Sequence, residues 1–379
     1  MTNNKVQNMG KTLYDNVTNY KFVYKFCVVV IAILVALLVG AAIIIAVGGN
    51  VFNTYWIIIS MPFKNLGSLC EVFTRMIPLT IVALGICVSS RCGIINIGAN
   101  GQMYMGVIAT CATAFALGPM PKPIAVPICV LVGAIAGGLF GFIPGALKAK
   151  FEVSELLSTV MLNYVAEQFY LFCIRVPLVD PQEKTGTPMS ARLPENTALS
   201  RFVRGTSLHE GIILAVILVV VIYILLFKTT WGYKMRAAGA SDKAARYGGI
   251  NVPFYLVISM VISGACAGMA GSVELMGVQR RAMEGITSGY GFSGIVVALF
   301  AGLHPIAVLP ASFFFGILLY SQVNLQILSS VPPNLVECLQ GAIILIIVAV
   351  QMIINNPYSL ERFRKRFFSK QIKVITEVK

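Results

Sequence analysis

Unbroken apolar runs of about 20 residues constrain this chain more than any other feature. Val28–Val47 holds only valine, leucine, isoleucine, alanine and one glycine. As a helix, a run of that length spans about 30 Å, the thickness of bilayer hydrocarbon. Within hydrocarbon every backbone N–H and C=O must be paired inside the protein, which leaves helices or a closed barrel. Barrel strands read as alternating segments of roughly ten residues, and such alternation is absent from these runs. Composition points the same way. The chain is 57% hydrophobic and 12% charged, with a mean hydropathy of +0.83, whereas soluble domains carry about 25% charged residues. The expected fold is all-α: a polytopic transmembrane bundle of about ten membrane helices, with broken or re-entrant segments among them.

The expected spans are 26–48, 72–90, 94–118, 124–147, 156–177, 210–227, 253–276, 287–303, 305–325 and 334–354. Span 287–303 is short and glycine-rich (Gly289, Gly291, Gly294, Gly302), which fits a re-entrant half-helix as well as a crossing. The first run starts too late and is too long for a cleaved signal peptide, so it reads as an anchor. Basic residues set the orientation. With both termini in the cytoplasm, 19 of the 29 Lys and Arg fall on that side, as the positive-inside bias requires. The bias also accounts for the net charge of +14 without nucleic acid as a partner. The domain plan is a basic N-terminal segment 1–25, one transmembrane domain 26–355 and a basic tail 356–379. Within the domain lie an extracytoplasmic loop 178–210, large enough to meet a partner, and a cytoplasmic loop 228–252, read as one short amphipathic helix between turns. The nine cysteines include no CxxC pair and mostly lie in apolar runs, so they read as small core residues rather than disulfides or a metal site.

Catalytic motifs are missing. Gly10-Lys11-Thr12 is the only Gly-Lys-Thr, but Lys5 stands where a P-loop needs its first glycine. His209 and His304 are the only histidines, both near span ends. No catalytic set, bound cofactor or metal is expected of this chain.

The most informative stretch is Gly93-Ile-Ile-Asn-Ile-Gly-Ala-Asn-Gly-Gln102. Its glycines and asparagines are costly inside a helix. Asn96 and Asn100 would share a face if the stretch were helical, and Gly98 and Gly101 permit a break or a close approach. Two readings stand: a broken segment lining a solute path, or close packing of helices through small residues. On the first reading Asn96, Gly98, Asn100, Gly101, Gln102 and Tyr104 are the candidate path residues, with Tyr104 available for stacking. Ionisable or polar groups deep in spans are further candidates: Glu167 with Asn163 one turn before it, and Glu274 toward the outer end of its span.

Four stretches together resemble the bacterial ABC-importer permeases for nucleosides and simple sugars, relatives of the ribose and branched-chain amino-acid permeases. Gly93–Gln102 is similar to their GxxNIGxEGQ segment, with Asn100 where relatives usually carry Glu. Trp231–Asn251 resembles their cytoplasmic coupling loop, Gly264–Gly271 the small-residue helix after it, and Gly294–Gly316 their GIAVALLGxxxPxG block. The resemblance covers roughly residues 75–350 and implies a permease subunit in the bacterial cytoplasmic membrane. It implies a separate ATPase carrying ATP and Mg, a second and non-identical permease, and an extracytoplasmic solute-binding lipoprotein. The ATPase-coupling residues it implies are Lys234, Arg236, Gly239, Ala244, Ala245, Arg246 and Gly249. The expected solute is a nucleoside, then a simple sugar. The alternative is a proton-coupled secondary transporter using Glu167; a membrane enzyme lacks any catalytic constellation to support it.

Overall fold

A computed structural model describes residues 34–328, apart from 36, 47, 181–185, 187 and 204, together with 338, 341, 342 and 346. Segments 1–25 and 356–379, part of the expected span 26–48 and most of the expected span 334–354 lie outside the described residues. The chain divides into two compact units, Met1–Trp56 with Leu325–Lys379, and Ile57–Asn324. In the first, helix α1 (Leu37–Ala46) ends in a turn at Gly48, with φ +83°. The Tyr55 hydroxyl donates to Leu37 C=O at 2.7 Å.

The second unit holds the elements that build the site. After α2 (Val51–Ser60) come α3 (Leu66–Arg91), α4 (Ala99–Ala116), α5 (Lys122–Phe151), α6 (Glu155–Arg175), α7 (Gly211–Lys228), α8 (Thr230–Ala240), α9 (Asp242–Tyr247), α10 (Val252–Glu274), α11 (Tyr290–Phe300) and α12 (Pro305–Leu328). Among the described residues, five helical segments are long and apolar enough to cross a membrane: Leu66–Arg91, Lys122–Phe151, Gly211–Lys228, Val252–Gln279 and Pro305–Leu325. Two expected spans differ. Span 94–118 is helical only from Ala99. Span 287–303 contains α11, 11 residues long; that is about 16 Å, half the hydrocarbon thickness.

α3 is the central helix. Its apolar window is 89% buried, against 28% for α7, so α3 is surrounded by protein and α7 turns most of its surface outward. A helix apolar all round belongs in such a core or in lipid. α10 packs against α5 through glycines spaced four apart. A Cβ built at Gly137 would fall 2.8 Å from Gly268 Cα, and one at Gly141 3.3 Å from Gly264 Cα. In lipid, where apolar side chains gain little by clustering, this close backbone approach is a main source of attraction between helices. The Gly264–Gly271 stretch is therefore the face that lets α5 and α10 meet.

The loop after α6 folds back as a packed cap. Ser190 N–H donates to Ala282 C=O and Leu193 N–H to Arg280 C=O, both at 2.8 Å. Asn196 donates to Gly118 C=O at 2.7 Å and to Met120 C=O at 2.9 Å. Isolated bridges pair Val179 with Ser190, Met189 with Met283, and Arg201 with His209. His209 is fully buried, and its Nδ1 accepts from Gly211 N–H at 3.1 Å. Burial, then the nearby Arg201 guanidinium, pushes its pKa down to about 4, against a smaller upward pull from Glu210.

Candidate functional site

The break before α4 starts from a capped helix end. α3 closes with Gly93 N–H donating to Ser90 C=O and Ile94 N–H to Ser89 C=O, both at 3.1 Å. This is the Schellman pairing, whose left-handed position suits glycine; Gly93 fills it at φ +86°. Residues 94–97 then have no regular secondary structure, with Ile94 and Asn96 fully buried and Ile95 exposed. The backbone here has lost its helical partners inside the bundle, so other groups must pair with it.

Two carboxamides do so. Asn96 Nδ2 donates to Gln102 Oε1 at 2.7 Å and to Ser263 Oγ on α10 at 2.9 Å. Asn96 Oδ1 accepts from Gly98 N–H at 2.9 Å. Asn163 on α6 donates to Ile97 C=O at 2.9 Å and accepts from Gly101 N–H at 2.8 Å. Gly98 and Gly101 admit these partners: a Cβ at Gly101 would lie 2.9 Å from Asn163 Oδ1. Asn96, Gly98, Gly101, Gln102 and Asn163 thus form a lock holding the α4 start. The unwound 94–98 stretch also means that Asn96 and Asn100 do not share a helical face.

Asn100 stands apart from the lock. Its Oδ1 is buried without a hydrogen-bond partner. A Cβ built at Gly291 would lie 2.6 Å from Asn100 Cα, so the first turns of α4 and α11 meet at this point. Helix N-termini carry unpaired N–H groups and partial positive charge, and two of them converge here. One turn along α4, Tyr104 stacks on Tyr170 with ring centroids 4.8 Å apart and lies near Thr287. Tyr170 donates to Met283 C=O at 2.7 Å. Half-buried Glu167 lies one turn before Tyr170 and acts electrostatically on Tyr104.

Glu274 is buried at the end of α10, where the helix passes into a π turn, Leu275–Gln279; such turns recur at functional sites. Gln279 and, on α3, Arg75 and Glu71 lie near its carboxyl. Arg75 also lies close to Tyr290, the first residue of α11. Sequence reasoning did not select Arg75, although a charged residue inside span 72–90 meets the same criterion that selected Glu274. Thr287, Tyr290 and Gly291 carried no comparable signal, because their importance lies in what they touch.

The 228–252 segment forms two helices, not one. Thr229 caps α8, accepting from Gly232 N–H at 3.1 Å, and Ser241 caps α9; serine's preference for that position ends α8 and starts α9. Asp242 and Arg246 pair at 2.8 Å on the exposed face of α9. Gly249, at φ +76°, closes α9 with the same paired turn that ends α3, Ile250 N–H reaching Ala245 C=O at 3.0 Å. Ala245 is buried while Lys234, Lys243 and Ala244 are exposed, and Tyr247 is 95% exposed. Arg236 lies over the Phe227 ring at 5.1 Å. Gly239 rests against the end of α3: a Cβ there would fall 2.8 Å from Gly93 N.

The family described as branched-chain amino acid transport system, permease component, matches residues 68–348. The guanosine ABC transporter permease protein NupP of Bacillus subtilis is 34% identical over 84% of this chain and 92% of its own length. The nucleoside ABC transporter permease protein NupB of Lactococcus lactis is 33% identical over 87% and 92%. The glucose ABC transporter permease protein TsgB13 of Haloferax volcanii is 29% identical over 84% and 86%. No solved structure gives a significant match. The matched span takes in the α4 break, the α5–α10 glycine face, the α8–α9 segment and α11, and the chain belongs to this family of multi-pass ABC transporter permeases.

Proposed function

We propose that this chain is the path-forming subunit of an ATP-driven importer for nucleosides. The observation that carries this reading is the meeting of two helix starts inside the bundle, α4 at Asn100 and α11 at Gly291, beside an unpartnered carboxamide oxygen. Irregular backbone at membrane depth is stable where it is buried in protein or faces a polar cavity. Neutral solutes rich in hydrogen-bonding groups suit such a place, since an unpaired acceptor gains a donor and a base finds aromatic faces such as Tyr104 and Tyr170. The names of the guanosine and nucleoside permeases support a nucleoside; the glucose permease keeps a sugar as the second reading.

Family membership supports the remaining parts of this reading. ATP and Mg sit on a separate ATPase, which grips α9 from the cytoplasm. A second, non-identical permease completes the path, and a solute-binding lipoprotein delivers solute at the 178–210 cap. Both termini lie in the cytoplasm of a bacterial cell, and this chain binds no cofactor itself. ATP binding works by favouring one of two conformations, which takes a few kcal/mol of differential affinity.

The test is uptake of labelled guanosine into proteoliposomes containing all partner subunits. The expected result is ATP-dependent uptake, competed by nucleosides and not by glucose. Competition by glucose alone would replace the solute; uptake driven by a pH gradient without the ATPase would replace the mechanism.

A further inference from the structure

The segment read as docking on the ATPase and the segment broken inside the bundle are in backbone contact, through Gly239 and the end of α3. Gly239, in the last turn of α8, sits against the Arg91–Gly93 backbone. A Cβ there would collide with Arg91 C=O and fall 2.8 Å from both Cys92 C and Gly93 N. With no side chain on Gly239 or Gly93, no rotamer change absorbs a shift of α8. Displacement passes directly to the end of α3.

From Arg91–Gly93 the structure branches to both broken elements. Along the chain, Gly93 leads within three residues to Asn96, which holds the start of α4. Across space, Arg91 Nε donates to Leu303 C=O at 3.0 Å and Nη2 to Gly302 C=O at 3.2 Å. These carbonyls lie in the turn after α11, which the Gly302 and Leu303 N–H groups close onto Leu299 and Ala298 C=O, and Leu303 is held at φ +57°, which is costly for a bulky residue. The starts of α4 and α11 meet again at Asn100 and Gly291. Phe227 braces the junction, with the Arg91 guanidinium 5.8 Å, the Arg236 guanidinium 5.1 Å and the His304 ring 5.2 Å from its ring.

We propose that Arg91, seated on Gly239, is a positioning residue that conveys movement of α8–α9 to the start of α4 and the end of α11 together. Neither Arg91 nor Gly239 need touch solute or nucleotide. The inference rests on the reading of α8–α9 as the ATPase-docking segment.

Arg91→Lys tests it, because lysine keeps the charge over Phe227 and loses the planar fork that reaches two carbonyls. In the complete reconstituted complex, the quantity measured is solute moved per ATP hydrolysed. The expected result is intact assembly and continued hydrolysis, with solute per ATP reduced by about 5- to 150-fold, the usual range of a coupling between sites. Gly239→Ala is expected to lower the same ratio. An unchanged ratio in both variants would overturn the proposal, as would parallel loss of hydrolysis and uptake, which marks a structural role. If the wild-type chain recruits no ATPase, the functional reading fails instead; normal wild-type transport with normal coupling in both variants sinks only the junction.

Discussion

Asn163 on α6 and Asn100 on α4 are the same residue type beside the same break, yet truncating them should have unlike effects. Asn163→Ala removes the donor to Ile97 C=O and the acceptor of Gly101 N–H. Leaving a buried backbone group unpaired costs about 1–3 kcal/mol, so two give about 2–6 kcal/mol. Gly101 is buried but Ile97 only half-buried, so water relieves part of the second loss and about 2–4 kcal/mol is expected. Asn100→Ala removes an oxygen with no partner and orphans nothing, so its cost should stay under about 1 kcal/mol. Thermal denaturation of the detergent-solubilised protein, followed by intrinsic fluorescence at one scan rate, measures both. The apparent Tm should drop clearly for Asn163→Ala and scarcely for Asn100→Ala, while uptake falls in both. Equal Tm changes would show that the Asn163 bonds do not hold the α4 start, and the argument for a locked break would fail.

Tyr247, 95% exposed on α9, should behave as an interface anchor: Tyr247→Ala should weaken ATPase association about tenfold or more in a pull-down titration, leaving membrane insertion intact. Glu167→Gln should retain ATP-dependent uptake; abolished uptake together with sensitivity to an uncoupler would favour proton coupling instead. His209 predicts a pH effect whose sign follows from its low folded pKa of about 4. An unfolded histidine takes its proton near pH 6.5, before the folded one does. Stability should therefore be full above that pH and fall between about 6.5 and 4, by up to about 3 kcal/mol. His209→Gln should flatten this slope relative to wild type in melts across the range.

Apolar length made α3, α5, α7, α10 and α12 readable, because a run of that length has one solution in a bilayer. Glycine and asparagine content marked the α4 break, because both are costly inside a helix. The sequence did not reveal the division of labour within the break. Asn96 meets Ser263 and Asn163 meets Gly101 across 167 and 62 residues of chain, and such pairings leave no local pattern. The split at Ser241 was legible in principle, since a serine followed by Asp242 is a helix-start signal. The Gly239–Gly93 contact was not legible, because a glycine chosen for close approach looks the same as one chosen for a turn.

The central claim is that solute passes the point where the α4 and α11 starts meet. Electron cryo-microscopy of the assembled complex, trapped with guanosine in a membrane disc, tests it directly. The account predicts solute density beside Gly291 with a base or ribose donor within hydrogen-bond distance of Asn100 Oδ1. Well-defined solute density elsewhere in the bundle, with that oxygen still unpartnered, would contradict it.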